Sequence, residues 1–317
     1  MHLYKANILF TKEKDRFTII PDGYVAVENG KVTGTYAELP ASLQGAPLTD
    51  FGDKLLIPAM NDMHVHAPQY RNQGLAMDLE LLPWLENYTF PEEMKYADTQ
   101  YAERMYRHFI HSLWRFGTMR TVAFATIHRE STRLLMHLFE EAGMGAMVGK
   151  VDMDRNCPAG LTSHVEQAMS DNLSLIEEFS DANGLVHPII TPRFIPTCTP
   201  EMLQACGEMA AKYSLPVQSH LSENHNEIAW VRELEPESRH YGDASIATDS
   251  SARRPPSWRT ACGLLARNSS SCAVRALWWR IAPPPTSISL PAWRLSAPSS
   301  TPTYPSVWAA TSAAGTT

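Results

Sequence analysis

The stretch Asp62-Met63-His64-Val65-His66-Ala67-Pro68-Gln69-Tyr70 contains two histidines separated by a single residue. The interpretation of the whole chain depends on this pair. The stretch follows an apolar run, Leu55 to Met60, which is short enough to be one buried strand rather than a helix. Because side chains alternate along a strand, His64 and His66 project from the same face. Two adjacent imidazoles are half of a site for zinc or iron. A pair of histidines on a polar strand face, with no metal, is the competing interpretation.

Length and composition limit the fold class and the partners to be expected. The chain has 317 residues, a formal net charge of −7 and 44% hydrophobic residues, which suits one large α/β domain or a barrel with an accessory layer. It shows neither the basic footprint of a nucleic-acid-binding protein nor a signal peptide or a membrane-length apolar run. Five scattered cysteines without a CxxC pair suit a reducing compartment. We expect a cytoplasmic protein with no nucleic-acid or membrane partner.

The first 58 residues have the pattern of a small β-sheet. Apolar strand-like runs alternate with turns, and Asn29-Gly30 lies between two such runs. An Asn-Gly pair is a strong hairpin signal because both residues tolerate positive φ. We therefore predict a separate β element over 1–58.

Helical and strand-like patterns then alternate along the chain. Apolar residues from Ala102 to Leu113 recur at helical spacing, Thr199 is placed to cap a helix with Pro200 at its first position, and Pro216 to His220 has the pattern of a strand. Repeated βα units predict a parallel sheet or barrel over 59–243. In a (β/α)₈ barrel the strand ends converge on the face that carries the active site. The polar strand ends are His64/His66, Thr126/His128, Asp152/Asp154, Arg193 and His220.

His220 supplies a third imidazole from a separate strand and makes a three-nitrogen metal site plausible. Glu223 follows three residues later, within reach of a metal-activated water, where a carboxylate moves protons. Alternatively, Glu223 begins the next helix, since acidic residues favour helix N-termini.

Four further residues are candidates for holding a planar ligand. Arg193 offers a fork of N–H donors, the Phe194 ring stacks on heterocycles, and the Gln69 amide both donates and accepts hydrogen bonds. Trp84 lies in a long aromatic-bearing segment of the kind that lines a pocket. Each residue, taken singly, also has an ordinary structural explanation. Arg193 suits a surface ion pair and Phe194 a core ring, while Gln69 suits a solvated amide and Trp84 a helix-packing aromatic.

Together these segments resemble the guanine deaminases of the amidohydrolase superfamily, over roughly residues 1–243. The segments that carry the resemblance are Met63–Tyr70, Tyr88–Glu92, Phe124–Thr126, Gly149–Asp154, Thr191–Phe194 and Gln218–Asn224. The resemblance implies a (β/α)₈ barrel with a small β-sandwich made by both termini, one zinc per subunit, a homodimer, and hydrolysis of guanine to xanthine and ammonia.

The resemblance also implies a role for each matching residue. His64, His66 and His220 become zinc ligands, with His220 also near the substrate, and Glu223 shuttles protons to the ring. Gln69, Arg193 and Phe194 hold the purine, and Trp84 is a candidate for the pocket wall.

The chain departs from the family after residue 243. The family needs a later histidine in an Ala-His-Cys segment and a late aspartate, but no histidine follows His240 and Asp249 is the only acidic residue in 244–317. This stretch contains no Lys, Glu, Phe or Met and is rich in Ser and Pro, a low-complexity composition that predicts poor folding. We expect an incomplete barrel and an impaired enzyme.

A frameshift explains the departure. Read one base early, codons for Ser257 to Thr260 permit Met-Ala-His-Cys, and codons for Pro305 to Ala314 permit Val-Gly-Leu-Gly-Ser-Asp-Val, an unspecified residue and then Gly-Gly, in the family's order. The hypothesis is that 244–317 is out of frame, and a genuine lineage-specific tail is the alternative. For function, the alternatives are another metal-dependent hydrolase acting on cytosine, adenosine or triazines, and a non-catalytic metal-binding remnant.

Overall fold

The computed structural model describes residues 1–13, 15–182, 184–238 and 241–242. The described part divides between Pro58 and Ala59 into two compact units. The tail proposed to be out of frame, 244–317, lies outside the described residues. No helix in the described part is long and apolar enough to cross a bilayer.

The first unit is one four-stranded sheet. Its strands are β1 His2–Glu13, β2 Arg16–Glu28, β3 Lys31–Tyr36 and β4 Leu48–Leu56, in the order β3-β2-β1-β4. β4 pairs with β1 in parallel and the other pairs are antiparallel. Asn29 and Gly30 have φ angles of 51° and 73°, so the predicted hairpin turn is confirmed.

The second unit alternates strands and helices. Its strands are β5 Met60–His66, β6 Thr118–Phe124, β7 Gly145–Gly149, β8 Val151–Asp152, β9 Val186–Pro188 and β10 Thr191–Pro192. Its helices are α1 Leu81–Trp84, α2 Phe90–Met94, α3 Thr99–Arg115, α4 Arg129–Glu141, α5 Val165–Glu178, α6 Pro200–Tyr213 and α7 His225–Leu234. The βα alternation predicted over this part of the chain is confirmed.

The strands of the second unit are parallel. The main sheet has the order β5-β6-β7-β9, and β8 pairs with β10 beyond it. The strand predicted over Pro216 to His220 does not form. Only an isolated parallel bridge joins Ile190 to Val217, although the chain still follows the sheet edge closely enough for the Gln218 N–H to donate to the Ile190 carbonyl.

Amphipathic helices cover the sheet. The apolar stripe predicted on α3 is buried at Ala102, Tyr106 and Phe109, and these side chains share one apolar cluster with Phe139 of α4. Fully burying a large apolar side chain such as that of Phe109 stabilises the fold by about 1.5–3 kcal/mol. At the start of α6 the Thr199 hydroxyl accepts from the Met202 N–H, so the predicted cap is confirmed.

The apolar run before the histidines is not one buried strand, and that prediction is wrong. β4 ends at Leu56 and β5 begins at Met60, with Pro58 between them. Leu55 is 58% exposed and Met60 47% exposed. Proline has no N–H for a sheet ladder, so the run is divided between two strands instead of continuing as one.

Candidate active site

Three histidines meet at the end of the parallel sheet. His64 and His66 project from the last residues of β5, and His220 follows the Ile190–Val217 bridge. Each can offer one ring nitrogen such that all three atoms lie within 4.8 Å of one another. The pairing inferred from strand alternation, and the convergence of His220 upon it, are therefore present in the structure.

His220 is oriented by the backbone of Arg193. Its Nδ1 lies 2.9 Å from the Arg193 carbonyl oxygen, and its backbone N–H donates to the same oxygen at 3.0 Å. A carbonyl only accepts, so Nδ1 carries the proton and Nε2 presents a lone pair. That Nε2 lies 2.9 Å from Nε2 of His66. Fixing the tautomer through the other ring nitrogen is how metal-binding histidines are usually held.

The ring of Phe124, the last residue of β6, packs against all three imidazoles. Its centroid lies 4.4 Å from that of His66, 4.6 Å from that of His220 and 5.1 Å from that of His64. Phe124 is fully buried. An apolar surface beneath the rings limits their rotation and excludes water from that side.

The donor set fits a divalent transition metal. Imidazoles suit zinc, copper, iron and nickel, and three nitrogens at tetrahedral zinc bond lengths lie about 3.3 Å apart. In the histidine cluster the Nε2 atoms of His66 and His220 lie 2.9 Å apart, and one nitrogen from each of the three rings lies within 4.8 Å of the others. The aspartates at the neighbouring strand ends have other partners: Asp152 pairs with the buried Lys150, and Asp154 accepts two hydrogen bonds from Thr199.

Three residues predicted to hold a planar ligand follow strands that lead to this site. The Phe194 ring is buried and makes an edge contact with His220 at 6.5 Å between centroids. Arg193 and Gln69 converge on one carboxylate, that of Glu93. The guanidinium donates to it at 2.6 and 3.1 Å, and the Gln69 amide donates at 3.1 Å.

Trp84 and Glu223 are the other two residues predicted for the site. Trp84 is half-buried, packs against the apolar cluster that contains Phe194, and donates from its indole to the Leu75 carbonyl at 3.1 Å. Glu223 lies outside α7, because Asn224 is the N-cap and Glu227 completes the capping box. Beginning the helix therefore does not explain Glu223, and its proton-transfer role stays a prediction.

Sequence reasoning missed Glu93 and Phe124 as site residues. Glu93 is only 1% exposed, and an acid in the first turn of a helix resembles ordinary helix-terminus charge. Two successive glutamates directly after Phe90-Pro91 were the available signal. Phe124 was noted in an apolar strand and in a segment that carries the resemblance, but it was given no role in the site.

The family of the chain follows from a comparison with models of known families. Residues 55–247 match the Amidohydrolase family. The chain belongs to this family.

Amidohydrolase relatives with similar sequences include two guanine deaminases. The enzyme of Dictyostelium discoideum is 36% identical over 252 residues, 74% of this chain and 56% of the relative. That of Escherichia coli K12 is 37% identical over 229 residues, 71% of this chain and 52% of the relative. The chain thus spans about half the length of the curated relatives it matches.

Solved structures agree with this placement. Guanine deaminase from C. acetobutylicum, with guanine bound in its active site, is 43% identical with a TM-score of 0.78, covering 84% of this chain and 65% of that one. A zinc-bound atrazine chlorohydrolase from Arthrobacter aurescens, 14% identical with a TM-score of 0.69, shares the fold over 81% of this chain and 62% of its own. The fold is the TIM-barrel-like α/β class predicted from the βα alternation.

Proposed function

We propose that this amidohydrolase is built for the zinc-dependent hydrolysis of guanine to xanthine and ammonia. The observation that carries the proposal is the convergence of three imidazoles next to Arg193 and Phe194, with the Arg193 carbonyl orienting His220. The names of the relatives, and the guanine bound in one of them, supply the substrate.

Each site residue has a distinct role in this proposal. His64, His66 and His220 hold the metal, which when bound lowers the pKa of a coordinated water toward ~7. Iron is the alternative metal for the same three nitrogens. Glu223, three residues beyond His220, takes and returns protons at the purine ring.

The remaining residues bind and orient the purine. Phe194 packs on the ring, and its burial with Phe124 keeps bulk water from one side of the site. Arg193 and Gln69 hydrogen-bond the edge of the base, His220 lies beside it, and Trp84 closes the wall of the pocket. Holding the base in this way would present its amino-bearing carbon to the side of the site where His64, His66 and His220 would hold the metal.

A direct assay tests the proposed activity. The purified 317-residue chain is loaded with zinc, and ammonia release is measured with guanine, cytosine, adenosine and a triazine, beside His66→Ala and Glu223→Gln variants. Ammonia from guanine alone, lost in both variants, supports the proposal. Preference for another substrate refutes it in favour of a different amidohydrolase activity.

We also propose that turnover of this chain is low. No histidine follows His240, and Asp249 is the only acidic residue after 243, so the later ligands and the water-deprotonating aspartate of the guanine deaminases have no counterpart. Zinc retained after dialysis without ammonia release is the signature of a non-catalytic remnant. Guanine turnover at ordinary enzyme rates, ~1–10³ s⁻¹, contradicts the expectation of low activity.

We propose, further, that a frameshift near Gly242 to Ala244 produced residues 244–317. The support is the set of family-like segments that one alternative reading frame permits in order. Sequencing the coding DNA around these codons tests it. Codons that forbid the alternative segments would leave a genuine tail as the explanation.

Partner and location follow from the same reasoning. We propose a homodimer in the cytoplasm, supported by the resemblance and by the free thiols of Cys157, Cys198 and Cys206. Sedimentation equilibrium of the purified chain tests the dimer, and fractionation of producing cells tests the compartment.

A further inference from the structure

Glu93 joins the two residues assigned to the edge of the base. It lies in α2, and its carboxylate accepts two N–H bonds from Arg193 and one from the amide of Gln69. Gln69 belongs to the turn after β5, while Arg193 follows β10. One buried carboxylate thus ties together the ends of two strands on the site's face.

The pairing changes what Arg193 offers a ligand. The guanidinium is buried, its two terminal nitrogens donate to Glu93, and its carbon lies 5.2 Å from the centroid of Phe90. An unpaired guanidinium strongly favours an anionic ligand, especially away from water. Paired with a carboxylate, the group remains a hydrogen-bond donor but contributes no net charge.

We propose that Glu93 is a positioning residue that sets specificity, making the base pocket prefer an uncharged planar heterocycle to an anionic one. This inference rests on the proposed function, because it takes Arg193 and Gln69 as the residues that hold the base. Glu93 acts through them: it holds the Arg193 fork in one orientation, cancels its charge, and turns the Gln69 amide so that its oxygen is left as an acceptor.

Glu92 provides a matched control. It is the adjacent residue in the same helix and is also buried, but its carboxylate bonds to Lys95 and the Tyr101 hydroxyl instead of to Arg193. Glu92→Gln therefore removes a buried, hydrogen-bonded carboxylate without touching the residues assigned to the base.

The test compares a neutral and an anionic purine that lack an amino group and so are not consumed. Hypoxanthine, neutral at pH 7, and urate, a monoanion at pH 7, are bound to the zinc-loaded full-length chain by equilibrium dialysis. Glu93→Gln should raise the affinity for urate relative to hypoxanthine by at least about tenfold, because a single charge within ~4–6 Å of a buried site acts strongly. Arg193→Gln leaves the negative charge of Glu93 unpaired and should lower the affinity for urate relative to hypoxanthine. Glu92→Gln should leave this ratio unchanged.

The affinity ratio should rise in Glu93→Gln and fall in Arg193→Gln. A loss of stability alone would act in the same direction in both variants, because removing either partner of a buried ion pair destabilises the fold. If one variant fails to fold, the sign measured for the other still decides. An unchanged ratio in both variants, in a wild-type chain that releases ammonia from guanine, overturns the role of Glu93 and leaves the proposed function standing. A chain that binds no purine overturns both.

Discussion

Phe124 should tune metal affinity without touching the metal. Its ring packs on three imidazoles at centroid distances of 4.4, 4.6 and 5.1 Å. Replacing it by leucine keeps an apolar side chain but removes the flat surface that restrains those rings. Each freed side chain must be reordered when metal binds, at roughly 0.5–1 kcal/mol apiece. Three rings give roughly 1.5–3 kcal/mol, so Phe124→Leu should weaken zinc binding about 10–100-fold.

Phe139→Leu is the matched control for this change. Phe139 is equally buried, but it packs on Phe109 in the α3–α4 layer, away from the histidines. Both variants should lose similar stability in urea. Only Phe124→Leu should weaken zinc binding in competition with a chromogenic chelator at pH 7.5. A folded Phe124→Leu protein that binds zinc within about threefold of wild type would refute the idea that Phe124 restrains the imidazoles.

Three further changes test the framework that carries the site. Thr199→Ala removes the α6 cap and a partner of Asp154, and should cost about 1–2 kcal/mol of unfolding free energy in urea titration. Gly149→Ala places a Cβ 1.7 Å from the Thr191 hydroxyl oxygen, so a loss of about 3 kcal/mol or more is expected in the same titration. Burial, with a neighbouring lysine, lowers the pKa of His128, so the unfolded chain binds the extra proton and unfolding free energy should fall as pH drops below about 6.5. His128→Asn should flatten that pH dependence.

Gly207 supplies the control for Gly149. A Cβ at Gly207, in α6, meets nothing within 4 Å, so Gly207→Ala should stabilise the protein by about 0.5–1 kcal/mol. Equal effects at the two glycines would contradict the close packing described around Gly149. For His128, a pH dependence identical in wild type and variant would contradict the lowering of its pKa in the folded chain.

The local signals in the sequence predicted much of the fold because they act over a few residues. The α3 stripe, the Asn29-Gly30 turn and the Thr199 cap each depend on spacing or on one side chain, and each is present in the structure. The run from Leu55 to Met60 was misassigned because apolar composition alone does not show where one strand ends and another begins.

The site residues that were predicted also depended on local signals, and Glu93, which was not predicted, depended on a distant contact. His64 and His66 were paired by strand alternation, and His220 was added from its place at the end of a strand-like segment. Glu93 was missed because its partner Arg193 is a hundred positions away in the chain. An ion pair of that separation has no periodicity or spacing that a single sequence can display. Only the fold brings the two charges together.

All three imidazoles lie between positions 64 and 220 of the chain. A ribosome adds roughly 5–20 residues per second, so these side chains leave the exit tunnel well before synthesis of a full-length polypeptide ends. The nascent segment then carries all three imidazoles of the proposed metal site. An ion held by all three at that stage would link the segment at 64–66 to the segment at 220 while the remainder is still being made.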